Sequence, residues 1–539
     1  MRLLPVNLDA LMVELPGQAE VLALLDSLRR DPVPGVTELV PAARTLLVRV
    51  RPLECSLGRL AQILASRDLA AAGPPTGRLI DMAVRYDGED LNEVARLLGI
   101  DAAEVVRRHT AQEWAVAFTG FAPGFAYLTA DAGLAVPRRA VPRTRIPAGA
   151  VALAGGFSAV YPAASPGGWQ LVGRTDATLW DLARDPPALL QPGDRVRFVD
   201  AGDRVRASSS AASASAGEGG YVRGARSRDA LGAGQAALLV RSPGLFSTFQ
   251  DHGRPGLAAQ GVSASGALDP AALAAANRLV GNDGRCAAIE SAGGGLQLQS
   301  VGPNVVAVTG ARAALGLLSA DGRRLQPAGH QAIALDDGDV LSLGAPVAGT
   351  RCYVAARGGF VHESVLGSAA TDTLARLGPA PLAAGDVIGV RPAPPGAAVG
   401  LPEPEPPLAA PGEEVVLDVV PGPRADWFTP EALACLARQR WRVTAQSDRV
   451  GLRLEGDVPM ARAVAGELPS EGTCRGSIQV PPSGQPVLFL ADHPVTGGYP
   501  VIASVALHHL ARAGQVPAGA WVRFRPLHAG ALAAPASNL

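Results

Sequence analysis

The amino-acid sequence predicts a mainly β protein that begins with a small α+β unit. Three observations carry the prediction. Short strand-like segments such as VALAG (151–155), WQLVG (169–173) and RVRFVD (195–200) recur between turns. Glycine (63) and proline (46) are abundant, which suits turn-rich β structure better than helices. Helical periodicity is confined to a few places. Many short strands with few helices point to barrels or sandwiches.

The elements follow in order. Residues 1–81 alternate helix and strand signals: Val21, Leu22, Leu25 and Leu28 repeat at helical spacing, TLLVRV (45–50) reads as a strand, and Leu57, Leu60, Ile63 and Leu64 mark a second helix. Residues 82–206 are expected to form a β-barrel. Within them DLNEVARLLGIDAAEVVRRHT (90–110) has the outline of a helix-turn-helix, with Asp90 and Asp101 as caps and Gly99 in the turn. Its second helix offers only Arg107 and Arg108 as bases, with Glu104 on the exposed side, so a helix pair packed on a barrel is the better account.

The run ASSSAASASAGEGG (207–220) cannot bury enough apolar surface to order itself and opens a linker over 207–235. Strand texture resumes over 236–391 and again over 415–528, separated by the stiffer Pro-rich connector 392–414. One helix is fixed by its ends: Asp269 as N-cap, Pro270 at the first position and Gly281 as a left-handed stop. A further helix is expected from Val501 to about Ala513, which would pack His509 in the core beside Ile502, Val505 and Ala506.

Composition excludes several mechanisms. The chain has no lysine, so it carries no biotinyl-lysine, no Schiff-base lysine and no P-loop lysine, and its 48 basic residues are all arginine. A formal net charge of −1 argues against nucleic acid as a partner. The cysteines Cys55, Cys286, Cys352, Cys435 and Cys474 are odd in number and lack CxxC spacing, which predicts reduced thiols, with neither a zinc site nor disulfides. Asp9, Glu14 and two prolines interrupt the first 16 residues, and no long apolar run follows, so no signal peptide and no membrane span are expected and a cytoplasmic location is predicted.

Candidate site residues fall in a few segments. WAVAFTGFAPGFAY (114–127) holds five aromatics in 14 residues, and Phe121, Phe125 and Tyr127 bracket a Pro-Gly turn, so that their rings can form an apolar pocket wall or simply pack. Arg143, two residues before Arg145, can clamp an anion, and PGGW (166–169) with Arg174 offers glycine amides beside a cation. FSTFQDHGRPG (246–256) concentrates Gln250, Asp251, His252 and Arg254. Asp448, Arg449 and Arg453, then Glu471 and Gln479, then Asp492 and Thr496 give the last third the densest polar chemistry, suited to holding an amide or carboxylate and managing protons, or to plain ion pairs.

Taken in order, these segments resemble a known family. HT (109–110), GFAPGFAYL (120–128), YP at 161, SPGGW, GRT and PGD (192–194) resemble the B subunit of 5-oxoprolinase, which is of the same family as the Kip-type sporulation kinase inhibitor. QDHGRPG, GVSASGALD, SDRVGLRL, PSEG, GSIQVPP and TGGYP resemble the C subunit of the same enzyme. Both are also called carboxyltransferase or allophanate-hydrolase-like domains, and the chain looks like a fusion of B and C. The resemblance implies cyclophilin-like β-barrels and an ATP-dependent opening of 5-oxo-L-proline to L-glutamate with a separate A subunit, ATP being a co-substrate taken with Mg. It implies catalytic roles for Asp251, Arg449, Glu471 and Asp492. Ligand-binding roles are implied for His109, Phe121, Phe125, Arg143, Arg174, Gln250, Arg254, Arg453, Gln479 and Thr496. No resident metal is expected, and a homo-oligomer is compatible with the family. Where the family reads QTTGGYP this chain has Pro494, Val495 and Thr496, so one glutamine is missing. Two alternatives stay open: a biotin-dependent carboxyltransferase acting on a urea-like amide, its biotin carried by another polypeptide, and a non-enzymatic histidine-kinase regulator.

Overall fold

A computed structural model describes residues 1–69, 77–139, 141, 143–202, 220–222 and 235–527. Most of the expected 207–235 linker lies outside the described residues. The protein is mainly β, and its larger sheets and its barrel follow one another in chain order.

The N-terminal unit is a four-stranded antiparallel sheet, ordered Arg2–Asn7, Ala10–Glu14, Thr45–Val50, Val36–Pro41, with helices Gln18–Arg30 and Leu57–Ala65. Side chains alternate across a strand, so each face of the sheet has its own core. Leu11, Val13, Leu46 and Val48 pack on the helices. Leu4, Val6, Met12, Val40 and Leu47 pack instead on Ala258, Cys474 and Val495 of the later units. This unit is thereby wedged against the C-terminal half of the chain.

The second unit is a seven-stranded sheet whose strand Leu79–Val84 begins before residue 82, the boundary expected from sequence. The helix pair Leu91–Leu98 and Ala102–Thr110 packs on it, with Gly99 at φ 68° in the turn and the Asp101 side chain accepting from Glu104 N. Arg107 and Arg108 are both paired to Glu104, which leaves that helix no basic face to offer a phosphate backbone. The third unit, residues 237–389, is a nine-stranded sheet dominated by the long pair Asn304–Leu318 and Val340–Ala356, with the expected helix at Pro270–Leu279, capped by Asp269. The Pro-rich stretch runs along this unit, tied by Gly400 N to Leu279 O and by Arg278 to Glu403.

The fourth unit is a closed seven-stranded barrel spanning Glu414 to Pro526. Here the expected helix from Val501 to about Ala513 is corrected. Val501–Val505 is a barrel strand, and only Leu510–Gly514 is α-helical. Val501 to Ala506 are all buried, and a strand covered on both faces shows an unbroken apolar run, which periodicity cannot tell from a helix. His509 is correspondingly not a core residue. Its Nδ1 accepts the Asp418 backbone N–H at 2.8 Å, and its side chain is partly exposed.

Candidate functional site at the junction of the units

The loop joining strands Glu113–Thr119 and Ala126–Thr129 carries Gly120 to Phe125 out of the second unit and onto the third. Thr119 Oγ1 donates to Ala259 O at 2.6 Å and Gly124 N donates to Gln260 O at 3.1 Å. Two bare glycines make this fit possible. A methyl on Gly120 would overlap the Thr496 side chain, and one on Gly261 would overlap Ala122 O. Docking of the loop leaves a narrow crevice where three parts of the chain meet. Phe121 and Pro123 form one wall, Gly261, Ser263 and Asp372 to Ala375 a second, and His493 to Val495 a third.

Backbone strain concentrates around this cleft. Among the described residues five non-glycines have positive φ, and three of them, Phe121 (63°), Ser265 (54°) and Arg376 (54°), lie in segments that line or support it. Each such residue costs on the order of 1 kcal/mol or more and persists only where its surroundings enforce it, a pattern that gathers at functional sites.

Two groups on the walls can handle protons. Asp372 is fully buried, and burial together with the neighbouring Asp492 charge pushes its carboxyl up to about 7. Its Oδ1 accepts the Leu374 and Ala375 N–H groups, and Ser263 Oγ donates to Oδ2 at 2.7 Å. His493 is displaced in the opposite sense, since burial lowers it to about 4 and keeps the imidazole neutral. Its Nδ1 lies 2.9 Å from Pro494 O, an acceptor only, so Nδ1 carries the proton and Nε2 keeps a lone pair. Two titratable groups displaced in opposite directions within one cleft are the arrangement that general acid–base work needs.

Behind the cleft lies a buried ionic network. Arg449 donates from Nε to Asp492 Oδ2 and from Nη2 to Asp492 Oδ1, both at 2.9 Å, reaches Gly266 O at 2.7 Å, and pairs through Nη1 with Glu290. Glu290 also accepts from Tyr353 Oη (2.7 Å) and Leu268 N (3.0 Å). Asp492 accepts from Ser265 Oγ, Thr373 N and Thr373 Oγ1. Burial opposes the charge on both carboxylates, and Arg449 overrides it and holds both below their ordinary range. The network ties the third unit to the barrel and fixes the segment that presents His493.

The sequence-derived candidates sort as follows. Phe121 lines the cleft, and Phe125 supports it, edge-on to Phe121 at 5.0 Å between ring centroids. Thr496 is at the junction with its buried Oγ1 turned to the Tyr127 phenol, and Gln479 lies beside Gly497 with its Nε2 bonded to Tyr499 O. Asp492 and Arg449 are beneath the cleft rather than in it. Asp251 is taken up by Ser368 Oγ and Ala369 N, and Gln250 by Thr248 Oγ1 and Thr371 O. Arg254 is buried against Val365 O and Ala370 O, with Nη1 lacking a partner.

Other candidates are placed by structural ties instead. Glu471 is clasped by Arg424, which also reaches Glu14 of the N-terminal sheet, so this carboxylate joins two units and is not a free base. His109 is fully buried in the second unit, between Tyr86 Oη (2.6 Å) and Ser158 Oγ (2.9 Å) and stacked on Phe198, and burial lowers it to about 3. No ligand reaches it there. Arg143 bridges Glu89 and Asp90, Arg174 pairs with Asp87 on the surface, and Arg453 is an exposed strand residue. Arg143 and Arg174 are therefore not open anion clamps, and Arg453 lies outside the residues that line the cleft.

Sequence reasoning passed over Ser263, Asp372 and His493, and also Tyr161 and Arg138, whereas it groups Tyr127 with Phe121 and Phe125. The two tyrosines join Phe125 and Trp169 in an edge-to-face cluster next to the cleft. Tyr127 Oη faces Ser470 and Thr496; burial raises its phenol, and Arg138 draws it back. A wider groove lined by Leu28, Val36, Gly256 and Ala259 lies nearby, but its acid, Glu38, is committed to Arg49. Among the described residues, Asp418, His508 and His509 could group around a cation, yet Arg525 already occupies one Asp418 oxygen and the Asp418 N–H occupies His509 Nδ1. No helix among the described residues is long and apolar enough to cross a membrane.

Comparison with known proteins divides the chain in the same way. Residues 1–190 match the family model for the carboxyltransferase domain, subdomain C and D, and residues 260–526 match that for subdomain A and B. The 5-oxoprolinase B subunit of Escherichia coli O157:H7 is 42% identical over 172 residues, covering 31% of this chain and 79% of that protein. The 5-oxoprolinase C subunit of Escherichia coli K12 is 32% identical over 298 residues, covering 53% of this chain and 90% of that protein. The crystal structure of TTHA0988 superposes over 96% of this chain and 99% of its own, with a TM-score of 0.81 and 34% identity.

Proposed function

The chain belongs to the carboxyltransferase-domain family, with both subdomain pairs in one polypeptide, and from that premise we propose that it is the B plus C component of an ATP-dependent 5-oxoprolinase. One observation carries the reading. The cleft is walled by Phe121 and Pro123 from the part similar to the B subunit and by Ser263, Asp372 and His493 from the part similar to the C subunit, so neither part makes it alone.

A lactam resists hydrolysis because its nitrogen lone pair is delocalised into the carbonyl, and opening the ring requires a base for the attacking water and an acid for the departing nitrogen. His493, neutral with Nε2 unprotonated, accepts the proton of the attacking water. Asp372, which holds its proton near neutrality, passes it to the Ser263 hydroxyl oxygen, and that hydroxyl, which lines the cleft, gives its own proton to the nitrogen as the C–N bond breaks. The aromatic wall excludes bulk water and so strengthens both steps.

The residues at the cleft do not fit a nucleotide. Arg449 and Arg143 are already saturated by carboxylates, Arg174 is paired elsewhere, and the space is narrow. ATP and its Mg are therefore assigned to the separate A subunit, with this chain binding the cyclic amide. The test combines the purified protein with an A subunit, 5-oxo-L-proline and ATP and follows glutamate. Glutamate no higher than with either component alone rejects the reading. The carboxyltransferase reading, favoured by the description of the family model, needs biotin on another chain, because no lysine here can carry it. Carboxylation of a urea-like amide by a biotin-loaded carrier would establish it.

A further inference from the structure

Within the stretch from Arg138 to Arg145 the arginines differ sharply in what they hold. Arg139 and Arg143 both turn to Asp90, with Arg143 also reaching Glu89. Arg138, like Arg145, is exposed and makes no ion pair or side-chain hydrogen bond among the described residues. Its place is nonetheless defined. Its Nη1 and Nη2 lie 3.8 and 3.9 Å from the point where a Cβ on Gly498 would stand, so a bare backbone runs beneath the guanidinium. The phenols of Tyr127 and Tyr161 both sense its charge, which places it over the aromatic cluster that adjoins Phe121. Thr496, two residues before Gly498, has its buried hydroxyl turned to the Tyr127 phenol. An exposed planar cation without an ionic partner, beside a glycine backbone and buried hydroxyls, suits recognition of a carboxylate.

Resting on the function proposed above, we infer that Arg138 reads the carboxylate of the substrate, so that the junction selects a cyclic amide bearing an acid over an uncharged amide of the same ring. The ring then lies toward Phe121 and the acid–base pair of Asp372 and His493, and the carboxylate lies toward Arg138. Arg138 is a specificity residue and takes no part in proton transfer.

The test is equilibrium binding to the full chain without any A subunit, by titration calorimetry. The ligands are 5-oxo-L-proline and 2-pyrrolidinone, which share the lactam ring and differ in the carboxylate. The proteins are wild type, Arg138→Gln, Arg138→Lys and a remote control, Arg59→Gln. A charge-assisted pair predicts that wild type binds 5-oxo-L-proline roughly 10- to 100-fold more tightly than 2-pyrrolidinone. Arg138→Gln abolishes that preference while leaving 2-pyrrolidinone binding unchanged, Arg138→Lys restores part of it, and Arg59→Gln behaves as wild type. Equal binding of the two lactams by wild type, a full preference retained by Arg138→Gln, or no binding of 5-oxo-L-proline by the wild-type chain overturns the inference. The two ideas fail separately. An Arg138-dependent preference without glutamate formation upholds this inference and removes the oxoprolinase reading, and glutamate formation that is indifferent to Arg138 does the reverse.

Discussion

Replacing Arg449 with Met tests whether the buried network is what holds the third unit to the barrel. In the native protein Arg449 is almost fully buried and spends its donors on Asp492, Glu290 and Gly266 O. Without it Glu290 retains Arg351 at 3.5 Å and Tyr353, but Asp492 keeps only neutral donors, Ser265 and Thr373, and faces the nearby Asp372. Removing one partner of a buried pair leaves an uncompensated charge at about 3–5 kcal/mol. For a unit of this size that corresponds to a melting transition lower by roughly 6–20 °C. The pH dependence carries a second signature. In wild type the carboxyls of Asp492 and Glu290 are held low, so their contribution is present above the unfolded carboxylate range and is lost only as pH falls through the folded values. In Arg449→Met burial acts alone and raises Asp492, so the penalty is small in acid and grows as pH rises. Differential scanning calorimetry at pH 5 and pH 8 should therefore show a larger deficit at pH 8. A variant melting within about 2 °C of wild type at pH 8, or one whose deficit grows toward acid, would refute the reasoning.

Three further outcomes are expected. Asp372→Asn, assayed with an A subunit, should lower kcat by roughly 100-fold or more. Because the wild-type group donates its proton, activity should decline as pH rises through about 7, and that limb should vanish in the variant. Gly120→Ala should cost about 1–3 kcal/mol by overpacking Thr496 and should weaken 5-oxo-L-proline binding, whereas Gly99→Ala, with open space around it, should lower only stability. Glu471→Gln should lower thermal stability by loosening the clasp that holds buried Arg424 in place for Glu14 of the N-terminal unit, while leaving kcat of the folded protein unchanged; a loss of kcat without a loss of stability would restore Glu471 as a base.

Much of the fold was legible because local rules and tertiary context agree. The helix at Pro270–Leu279 announces itself through Asp269, Pro270 and Gly281, and the pair over 91–110 through Asp101 and Gly99. The strand Val501–Val505 was misread because burial on both sides of a barrel wall erases the alternation that marks a strand. The site was half legible. Asp492 stands out in DHPVTGGYP, yet its partner Asp372 lies 120 residues earlier in TDTLARLG, where nothing local marks it. Its displaced carboxyl arises from burial and from Asp492, both products of the fold. Glu471 and Arg143 misled for the converse reason: a sequence shows the charge but not the arginine or aspartate that neutralises it.

The absence of lysine looks at first like a restriction on chemistry, and the structure shows why arginine suits the roles that remain. Arg449 serves Asp492 through two edges of its fork while reaching Glu290 and a carbonyl, and Arg424 joins Glu471 to Glu14 across two units. A lysine ammonium is a point charge with no planar fork and could not satisfy either carboxylate pair in that geometry. Those arginines are committed, and a committed cation cannot also bind substrate. The arginines that sequence patterns single out are, in the main, the ones the fold has already spent, which is why the cation to test for recognition is Arg138, whose neighbours took the available carboxylates and left its guanidinium open above Gly498.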